Sequence, residues 1–195
     1  ARHFHFTDES YPPALFRKLT RGLIDSKMGI AWTTHMRFEK SLLEDQVWQD
    51  AKASGCKYLH FGYESGNERV LKLMDKATTT EIMTKHLKYT AEAGIWNHCM
   101  GCFGFPGETR EEAWASGEDY VHSLGFGTFD LGRHNPVAKH PEKFGVTAYK
   151  NPEWDLALDY YFTVKQGLSI EEAERVFEEF ERNHNPGWDL RLFIR

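Results

Sequence analysis

Residues Cys56-Lys57-Tyr58-Leu59-His60-Phe61-Gly62-Tyr63-Glu64-Ser65-Gly66 form an apolar run that ends in a polar segment flanked by glycines. The run predicts a buried β-strand over residues 56–61, because short apolar runs bounded by turn residues are typical of strands. Val70, Leu71 and Met74 follow at helical spacing. This stretch therefore predicts a strand, a polar turn and a short helix in direct succession.

The same succession recurs along the chain. Three further runs end in the segments Thr7-Asp8-Glu9-Ser10, His35-Met36-Arg37 and Gly104-Phe105-Pro106-Gly107-Glu108-Thr109. Strands that alternate with helices over about 130 residues predict an α/β fold with a parallel sheet. The carboxyl ends of parallel strands meet at one edge of a sheet, so distant polar residues converge there. The residues expected at this edge are Asp8, Glu9, Arg37, Glu64 and Glu108.

Capping signals set the expected helix starts. Ser41 with Glu44, Thr78 with Glu81, and Thr109 with Glu112 have the spacing of capping boxes. The last of these predicts a helix that runs through Val121 and Leu124 to Gly125, followed by a fifth strand at residues 128–131. Beyond Gly132 the sequence predicts a long ordered loop and then helix.

Composition limits the classes of function. The chain has 195 residues, 41% of them apolar, and a net charge of −5 with 24 scattered Lys and Arg residues. A basic stripe is absent from this sequence, which argues against nucleic acid as the main partner. The sequence contains no apolar run of about 18 residues and no signal-peptide pattern at its start, so we expect a cytoplasmic protein without a membrane span. Its first and last residues suggest a piece of a longer protein.

Each polar segment has two interpretations. Glu64 could accept hydrogen bonds from ribose hydroxyls or an ammonium group, or it could simply favour the start of the next helix. Asp8 and Glu9 could bind an amine or serve as capping residues. Arg37 could hold a carboxylate or phosphate, or lie at the surface. The glycines of residues 104–107 could let a ligand approach the backbone, or only shape a tight turn.

Metal binding is a minority interpretation. Cys99 and Cys102 lie in a strand-like run, where residues three apart point to opposite faces, and Cys56 is expected to be a small buried residue. His3 and His5 share one strand face, as in zinc hydrolases built on barrels, but no clear third ligand follows. We assign no metal ligand and no catalytic residue.

Taken together, the polar segments resemble the radical S-adenosylmethionine enzymes, and most closely their cobalamin-binding branch. The signature G-x-E-S-G…V-L…M-x-K of that branch is matched by residues 62–66, Val70, Leu71, Met74 and Lys76. Further matching segments stand in the family's order. They are Phe6-Thr7-Asp8-Glu9, Trp32 with Arg37, Ala93-Gly94-Ile95 and Gly104-Phe105-Pro106-Gly107-Glu108-Thr109.

The resemblance implies a fold and a set of site residues. It implies strands two to six of a partial (β/α)₆ TIM-like barrel over residues 1–132, with a C-terminal loop and helical extension over residues 133–195. Asp8 and Glu9 would lie near the methionine amino group of S-adenosylmethionine, and Arg37 and Glu64 near its methionine or ribose part. The adenine side would be lined by the segment from Gly101 to Glu108. The complete set of implied S-adenosylmethionine-binding residues is Asp8, Glu9, Arg37, Glu64, Ser65, Gly101, Phe103 and Gly104.

The resemblance also implies cofactors and partners. The parent enzyme would cleave S-adenosylmethionine reductively with a [4Fe–4S] cluster, giving a 5′-deoxyadenosyl radical. Flavodoxin or ferredoxin would supply the electron, and the substrate would be a small molecule or peptide that the sequence does not identify. The family's C-x-x-x-C-x-x-C loop, which holds the cluster, is absent from these residues. That loop, and a cobalamin domain where the parent has one, would lie upstream.

Two alternatives stay open at this stage. The chain could be a non-catalytic module that binds a nucleoside or a partner protein. Less favoured is a zinc-dependent barrel hydrolase that uses His3 and His5.

Overall fold

Five strands of the first part of the chain form one sheet. The computed structural model describes residues 1–8, 10–114, 120–149 and 159–184, except for the side chains of residues 149 and 184. The sheet order follows the sequence, and the pairings of the first four strands are parallel. The strands are His3–Phe6 (β1), Ala31–Met36 (β2), Cys56–Glu64 (β3), Trp96–Phe103 (β4) and Ser123–Thr128 (β5). The predicted α/β class is therefore confirmed.

Helices connect these strands, and those between the first four strands pack on one face of the sheet. They are Pro13–Ser26 (α1), Asp45–Ala53 (α2), Glu68–Leu73 (α3), Thr80–Glu92 (α4) and Arg110–Ala113 (α5), with a 3₁₀ helix at Lys40–Leu42. Consecutive parallel strands joined by helices are the arrangement of a (β/α) barrel, and five strands are too few to close one with eight.

Aromatic side chains fill the core between the sheet and its helices. Trp32 of β2 and Phe61 of β3 pack with Phe16 of α1 and Trp48 of α2, and all four are at most 1% exposed. The ring centroids of Phe16 and Trp48 are 5.6 Å apart. Burial of each such side chain contributes about 1.5–3 kcal/mol to folding. Both indole N–H groups also donate to backbone carbonyls, so burial of the two tryptophans leaves neither N–H without a hydrogen bond.

The other face of the sheet is polar and half-exposed. Side chains alternate between faces along a strand, so β2 turns Thr33 and His35 away from the helices, and β3 does the same with Tyr58 and His60. His98 of β4 lies on this side too, in register with His60. This face is the inner side of the partial barrel.

Two of the three expected capping boxes were wrong in detail. α2 begins at Asp45 after Glu44, with no side-chain cap, and Glu44 instead pairs with Arg17 at 3.0 Å. α4 is capped by Thr79, whose hydroxyl accepts from the Ile82 amide, one residue later than expected. The box of Thr109 and Glu112 is confirmed, because each side chain accepts from the other residue's backbone N–H.

The expected fifth strand was misplaced. Leu124 and Gly125 lie in β5, not at the end of a helix, and the strand ends at Thr128. A Cβ on Gly125 would lie 2.7 Å from Nε2 of His98 on the adjacent strand, so any larger residue would displace the imidazole. The glycine that suggested a helix end therefore permits a close approach between strands.

A second compact unit combines a small antiparallel sheet with helices. Its strands are Leu131–Gly132 (β6), Val146–Tyr149 (β7) and Asp159–Val164 (β8), in the order β6-β8-β7, and its helices are Pro136–Lys139 (α6), the 3₁₀ helix Pro141–Phe144 and Ile170–His184 (α7). The predicted C-terminal helix is α7, whereas the sheet was not predicted. Ala173, Val176 and Phe180 form the buried side of α7.

The two compact units are Ala1–Gly101 with Trp114–Phe126, and Cys102–Ala113 with Gly127–Arg195. The sequence-based division at residue 132 stays a prediction, because compactness alone does not define a family domain. Within the described ranges, no helix is both long and apolar enough to cross a membrane.

Candidate functional site

The end of β3 departs from regular strand geometry at Glu64. The pairing with β4 shifts between Gly62 and Glu64, where a β-bulge interrupts the register. Glu64 itself has φ +65°, in the left-handed region that side chains other than glycine rarely adopt. Such backbone strain concentrates at ligand sites, because the bulge re-aims a side chain.

An ion pair fixes the side chain of Glu64. Nζ of Lys76 donates to Oε1 of Glu64 at 2.8 Å, and the two side chains are 36% and 29% exposed. The turn after α3 aims Lys76 back at β3, since Asp75 has φ +55° and the Lys76 amide donates to the Leu71 carbonyl. The Glu and Lys of the signature motif therefore form one unit in space.

A small cavity of about 170 Å³ surrounds this pair. It is lined by Arg37, Phe38, Glu39, Gly62, Glu64, Asp75, Lys76, Ala77 and Thr78. Arg37 is exposed, directly after β2. The hydroxyl of Thr78 is buried, and no described residue forms a hydrogen bond with it. Ligand pockets typically measure about 300–1,000 Å³, so this cavity suits one polar part of a ligand, such as a ribose or an amino-acid end.

Asp8 and Ser65 already have protein partners. The carboxylate of Asp8 accepts from the Tyr11 hydroxyl at 2.8 Å. Burial, and then the adjacent Asp8, raise the pKa of Tyr11 to about 12. Ser65 is 1% exposed, and its hydroxyl accepts from the amide of Asn67, which caps α3. Glu9 lies outside the described residues.

Gly101 brings β4 against the backbone of Glu64. A Cβ at this position would lie 2.7 Å from the Glu64 carbonyl oxygen and 2.7 Å from the ring of Phe126. Any larger residue must displace one of them, so Gly101 supports the position of Glu64 through the backbone.

Phe103, Gly104 and Glu108 lie in the second unit. Phe103 is 1% exposed and packs on Phe180, with ring centroids 5.2 Å apart. The Gly104 amide donates to Oε2 of Glu108 at 2.7 Å, and Glu108 is 1% exposed. Glu108 therefore stabilises its own turn. The roles of all predicted binding residues toward S-adenosylmethionine stay predictions.

The cysteines show no metal site. Cys56 and Cys99 are buried and Cys102 is half-buried. Burial raises the pKa of the Cys56 thiol to about 12. Within the described part of the chain, no group of three His, Cys, Asp or Glu side chains could hold a metal ion, and this includes the surroundings of His3 and His5.

A row of histidines was missed by sequence reasoning. His5, His35, His60 and His98 lie on the inner face of β1 to β4, and the centroids of neighbouring rings are 4.7 to 5.6 Å apart. The sequence signal was only that histidines occur in or directly after the predicted strand runs. A separate cavity of about 540 Å³ lies at the opposite, amino-terminal ends of the strands, beside Arg2, Lys27, Lys52 and Lys57.

The fold resembles that of a solved radical S-adenosylmethionine methyltransferase. TsrM from Kitasatospora setae, solved with cobalamin and a [4Fe–4S] cluster, matches with a TM-score of 0.65 at 17% identity, over 90% of this chain and 38% of TsrM. This likeness confirms the predicted barrel-type fold, of which the five-stranded sheet is an open part.

The family model of the Radical SAM superfamily matches residues 7–119, more than half of the chain. The chain belongs to this superfamily, as its motifs predicted. It is 33% identical over 91 residues to an uncharacterized methyltransferase of Pyrococcus horikoshii, covering 46% of this chain and 19% of the relative. It is 26% identical over 200 residues to the cytidylyl-2-hydroxyethylphosphonate methyltransferase of Streptomyces wedmorensis, covering 93% of this chain and 36% of the relative. The chain thus spans about a fifth to a third of these curated relatives.

Proposed function

We propose that the complete protein is a radical S-adenosylmethionine methyltransferase of the cobalamin-dependent branch. The observation that carries the proposal is the similarity to a named methyltransferase along 93% of this chain, within a family model that the chain matches. The relative from Pyrococcus horikoshii is also a methyltransferase. The signature of residues 62–76 supports the same branch.

Glu64 and Arg37 would bind the methionine or ribose part of S-adenosylmethionine. Oε1 of Glu64 is engaged by Lys76, while Oε2 forms no hydrogen bond with any residue that the structure describes. A carboxylate held in this way can accept from a pair of ribose hydroxyls or from an ammonium group. The exposed guanidinium of Arg37 can hold the methionine carboxylate with two parallel N–H donors.

The other predicted residues would contribute through both side chains and backbone. Asp8 and Glu9 would approach the methionine amino group, with Asp8 oriented by Tyr11. Ser65 shapes the turn, and Gly101 and Gly104 would leave room for the adenine. Because the ring of Phe103 is buried against Phe180, its contribution would come from its backbone groups.

The residues of this chain do not fit the iron–sulfur cluster. A [4Fe–4S] cluster of this family needs three neighbouring thiolates, and the three cysteines of this chain lack the C-x-x-x-C-x-x-C spacing. The cluster would be held outside these residues, and an external electron donor such as flavodoxin or ferredoxin would reduce it. Within the enzyme, this chain would bind and orient S-adenosylmethionine.

Methyl-labelled S-adenosylmethionine tests the proposal. The complete gene product, purified with its cluster, is incubated with reductant, cobalamin and a small-molecule extract of the organism that encodes it. We expect a labelled product and S-adenosylhomocysteine, both dependent on cobalamin. Formation of 5′-deoxyadenosine without methyl transfer would place the protein in another branch. Binding without any cleavage would favour the non-catalytic module.

A further inference from the structure

Four imidazoles stand side by side on the inner face of the sheet. His35 is the register partner of His60, and His60 is the register partner of His98. His5 lies on the remaining neighbour, β1, with its ring 5.4 Å from that of His35. Residues in register on adjacent strands point to the same side, so the four rings form one continuous row, here called the histidine row.

Three of the four rings form a triangle. The ring centroids of His5, His35 and His60 are 5.4, 5.6 and 4.7 Å apart, and that of His98 lies 5.3 Å beyond His60. These separations are contact distances for edge-on or tilted rings, so the three rings pack together, and each imidazole can donate an N–H from its edge. A tetrahedral oxyanion offers three oxygens to such a triangle, whereas a planar carboxylate offers two.

Hydroxyl groups are the polar groups beside the histidine row. The hydroxyl of Thr33, the register partner of His5, is buried and has no hydrogen-bond partner among the described residues. On the other side, Nδ1 of His98 lies 2.8 Å from the Ser123 hydroxyl, which is 3.3 Å from the Tyr58 hydroxyl. An unpartnered buried hydroxyl next to imidazoles is suited to donate to a bound oxygen.

The charged groups nearest the row stand beyond the strand ends. On β1, His3 shares the face of His5, and the next charged group along the strand is Asp8, which accepts from Tyr11. After β2 the next charged group is Arg37. On β3 it is Glu64, paired with Lys76. Lys57 of β3 is exposed and alternates to the other side from Tyr58, and the described part of β4 and β5 carries no charged side chain other than histidine.

Burial and mutual repulsion keep His60 and His98 of the row neutral near pH 7. Burial, and then repulsion from His35, His98 and His5, lower the pKa of His60 to about 4. Burial and His35 also lower the pKa of His98. An oxyanion would replace this repulsion by attraction and raise both pKa values, so binding should take up protons.

We propose that the histidine row binds a phosphate or phosphonate group of the methyl acceptor. The assignment rests on the proposed function and adds the chemical class of the acceptor. It draws on the register of His35, His60 and His98, the triangle that His5 forms with His35 and His60, and the buried Thr33 hydroxyl beside them. A metal ion is the other occupant that imidazoles suggest, but the described residues offer no group of three ligands that could hold one.

Titration calorimetry of the complete protein with methylphosphonate tests the inference, with acetate as the planar probe. Because the imidazoles take up protons, methylphosphonate should bind more tightly near pH 6 than near pH 7.5, and His60→Gln should reduce this difference. Runs in two buffers of different ionisation enthalpy should show uptake of protons on binding. Binding of acetate as tight as that of methylphosphonate would overturn the tetrahedral assignment.

Two substitutions locate the binding. His60→Gln should weaken methylphosphonate binding about tenfold or more, the effect of losing a hydrogen bond to a charged group. His140→Gln, at an exposed position in the second unit, should leave it unchanged. His98→Gln, at the end of the row, provides a second test should His60→Gln fail to fold. The proposal would be overturned if the protein bound zinc, if His60→Gln abolished zinc binding, and if the same substitution left methylphosphonate binding unchanged.

The binding data and the methyl-transfer assay can fail separately. Labelled methyl transfer without methylphosphonate binding refutes the histidine row as an oxyanion site and leaves the proposed function intact. Methylphosphonate binding without methyl transfer in any condition refutes the proposed function, and with it the assignment of the oxyanion to a methyl acceptor.

Discussion

The carboxylate of Glu64 and the ammonium group of Lys76 lie 2.8 Å apart, joining the end of β3 to the turn after α3. Both residues belong to the signature G-x-E-S-G…M-x-K, so the geometry gives a physical reason for their joint presence. Lys76 occupies one carboxylate oxygen and fixes the direction of the other. An exposed pair of this kind contributes only about 0–1 kcal/mol to stability, so positioning is its larger effect.

Glu64→Gln should weaken S-adenosylmethionine binding to the complete enzyme by about 1–3 kcal/mol while leaving the fold intact, because a charged hydrogen bond is lost. Lys76→Met should weaken it less, and the double variant should resemble Glu64→Gln alone, because both changes act on one carboxylate. Equilibrium dialysis with labelled S-adenosylmethionine measures this. The matched control is Lys85→Met, which breaks the exposed pair with Glu81. Unchanged affinity in Glu64→Gln would leave Glu64 as a capping charge.

Gly101→Ala should lower both S-adenosylmethionine affinity and stability. The added methyl group would meet the Glu64 carbonyl oxygen and the Phe126 ring at 2.7 Å, so the bulge must shift. We expect a loss of about 1–3 kcal/mol in stability, the usual cost of overpacking. Gly127→Ala is the control, because an added Cβ there meets nothing within 4 Å. If Gly101→Ala and Gly127→Ala had the same S-adenosylmethionine affinity and the same stability, Gly101 would not hold Glu64 in place.

The fold was predictable because its signals are local. Apolar runs and helical stripes mark β2, β3 and α4, and strand-helix alternation then implies a parallel sheet. β5 was misplaced because its Leu124 and Gly125 also fit a helix end. Only the approach of His98 to Gly125 reveals the strand, and this contact joins residues far apart in sequence.

The site was predictable in part. The position of Glu64 at a strand end follows from sequence, but its left-handed backbone and its pairing with Lys76 depend on the bulge and the turn after α3. The histidine row depends on strand register. Its members are separated by 25 to 38 residues, as read from His5, His35, His60 and His98, so no periodicity connects them.

Glu108→Gln should loosen the turn after β4. The buried carboxylate accepts from the Gly104 amide at 2.7 Å, and an amide oxygen is a weaker acceptor. We expect local stability to fall by about 1–3 kcal/mol, seen as faster hydrogen exchange of residues 102–113 in the complete protein. Glu112→Gln, in the exposed capping box, should have a smaller effect. If Glu108→Gln abolished S-adenosylmethionine binding and left the hydrogen exchange of residues 102–113 unchanged, Glu108 would instead be a ligand-binding residue.

His86 should make the first unit less stable in mild acid. Its ring is fully buried against Trp48 and Phe38, and Nε2 lies 3.0 Å from the Glu39 carbonyl oxygen. Burial lowers the pKa of His86 to about 4, although the bond to Glu39 opposes this shift. Between about pH 6.5 and pH 4 the unfolded chain therefore binds a proton that the folded chain does not. Stability should fall as the pH falls through this window.

The slope from one such proton is at most about 1.4 kcal/mol per pH unit. Hydrogen exchange of α4 in the complete protein, corrected for the intrinsic rate, measures it at several pH values. His86→Phe keeps an aromatic ring in the core and removes the titrating group, so its slope should be smaller than that of the wild type. The exposed His140, replaced by Gln, should leave the slope unchanged. If the slope of stability against pH were equal in His86→Phe and the wild type, other groups would cause the acid sensitivity. His60 would then be the next residue to replace, because its pKa is also lowered to about 4.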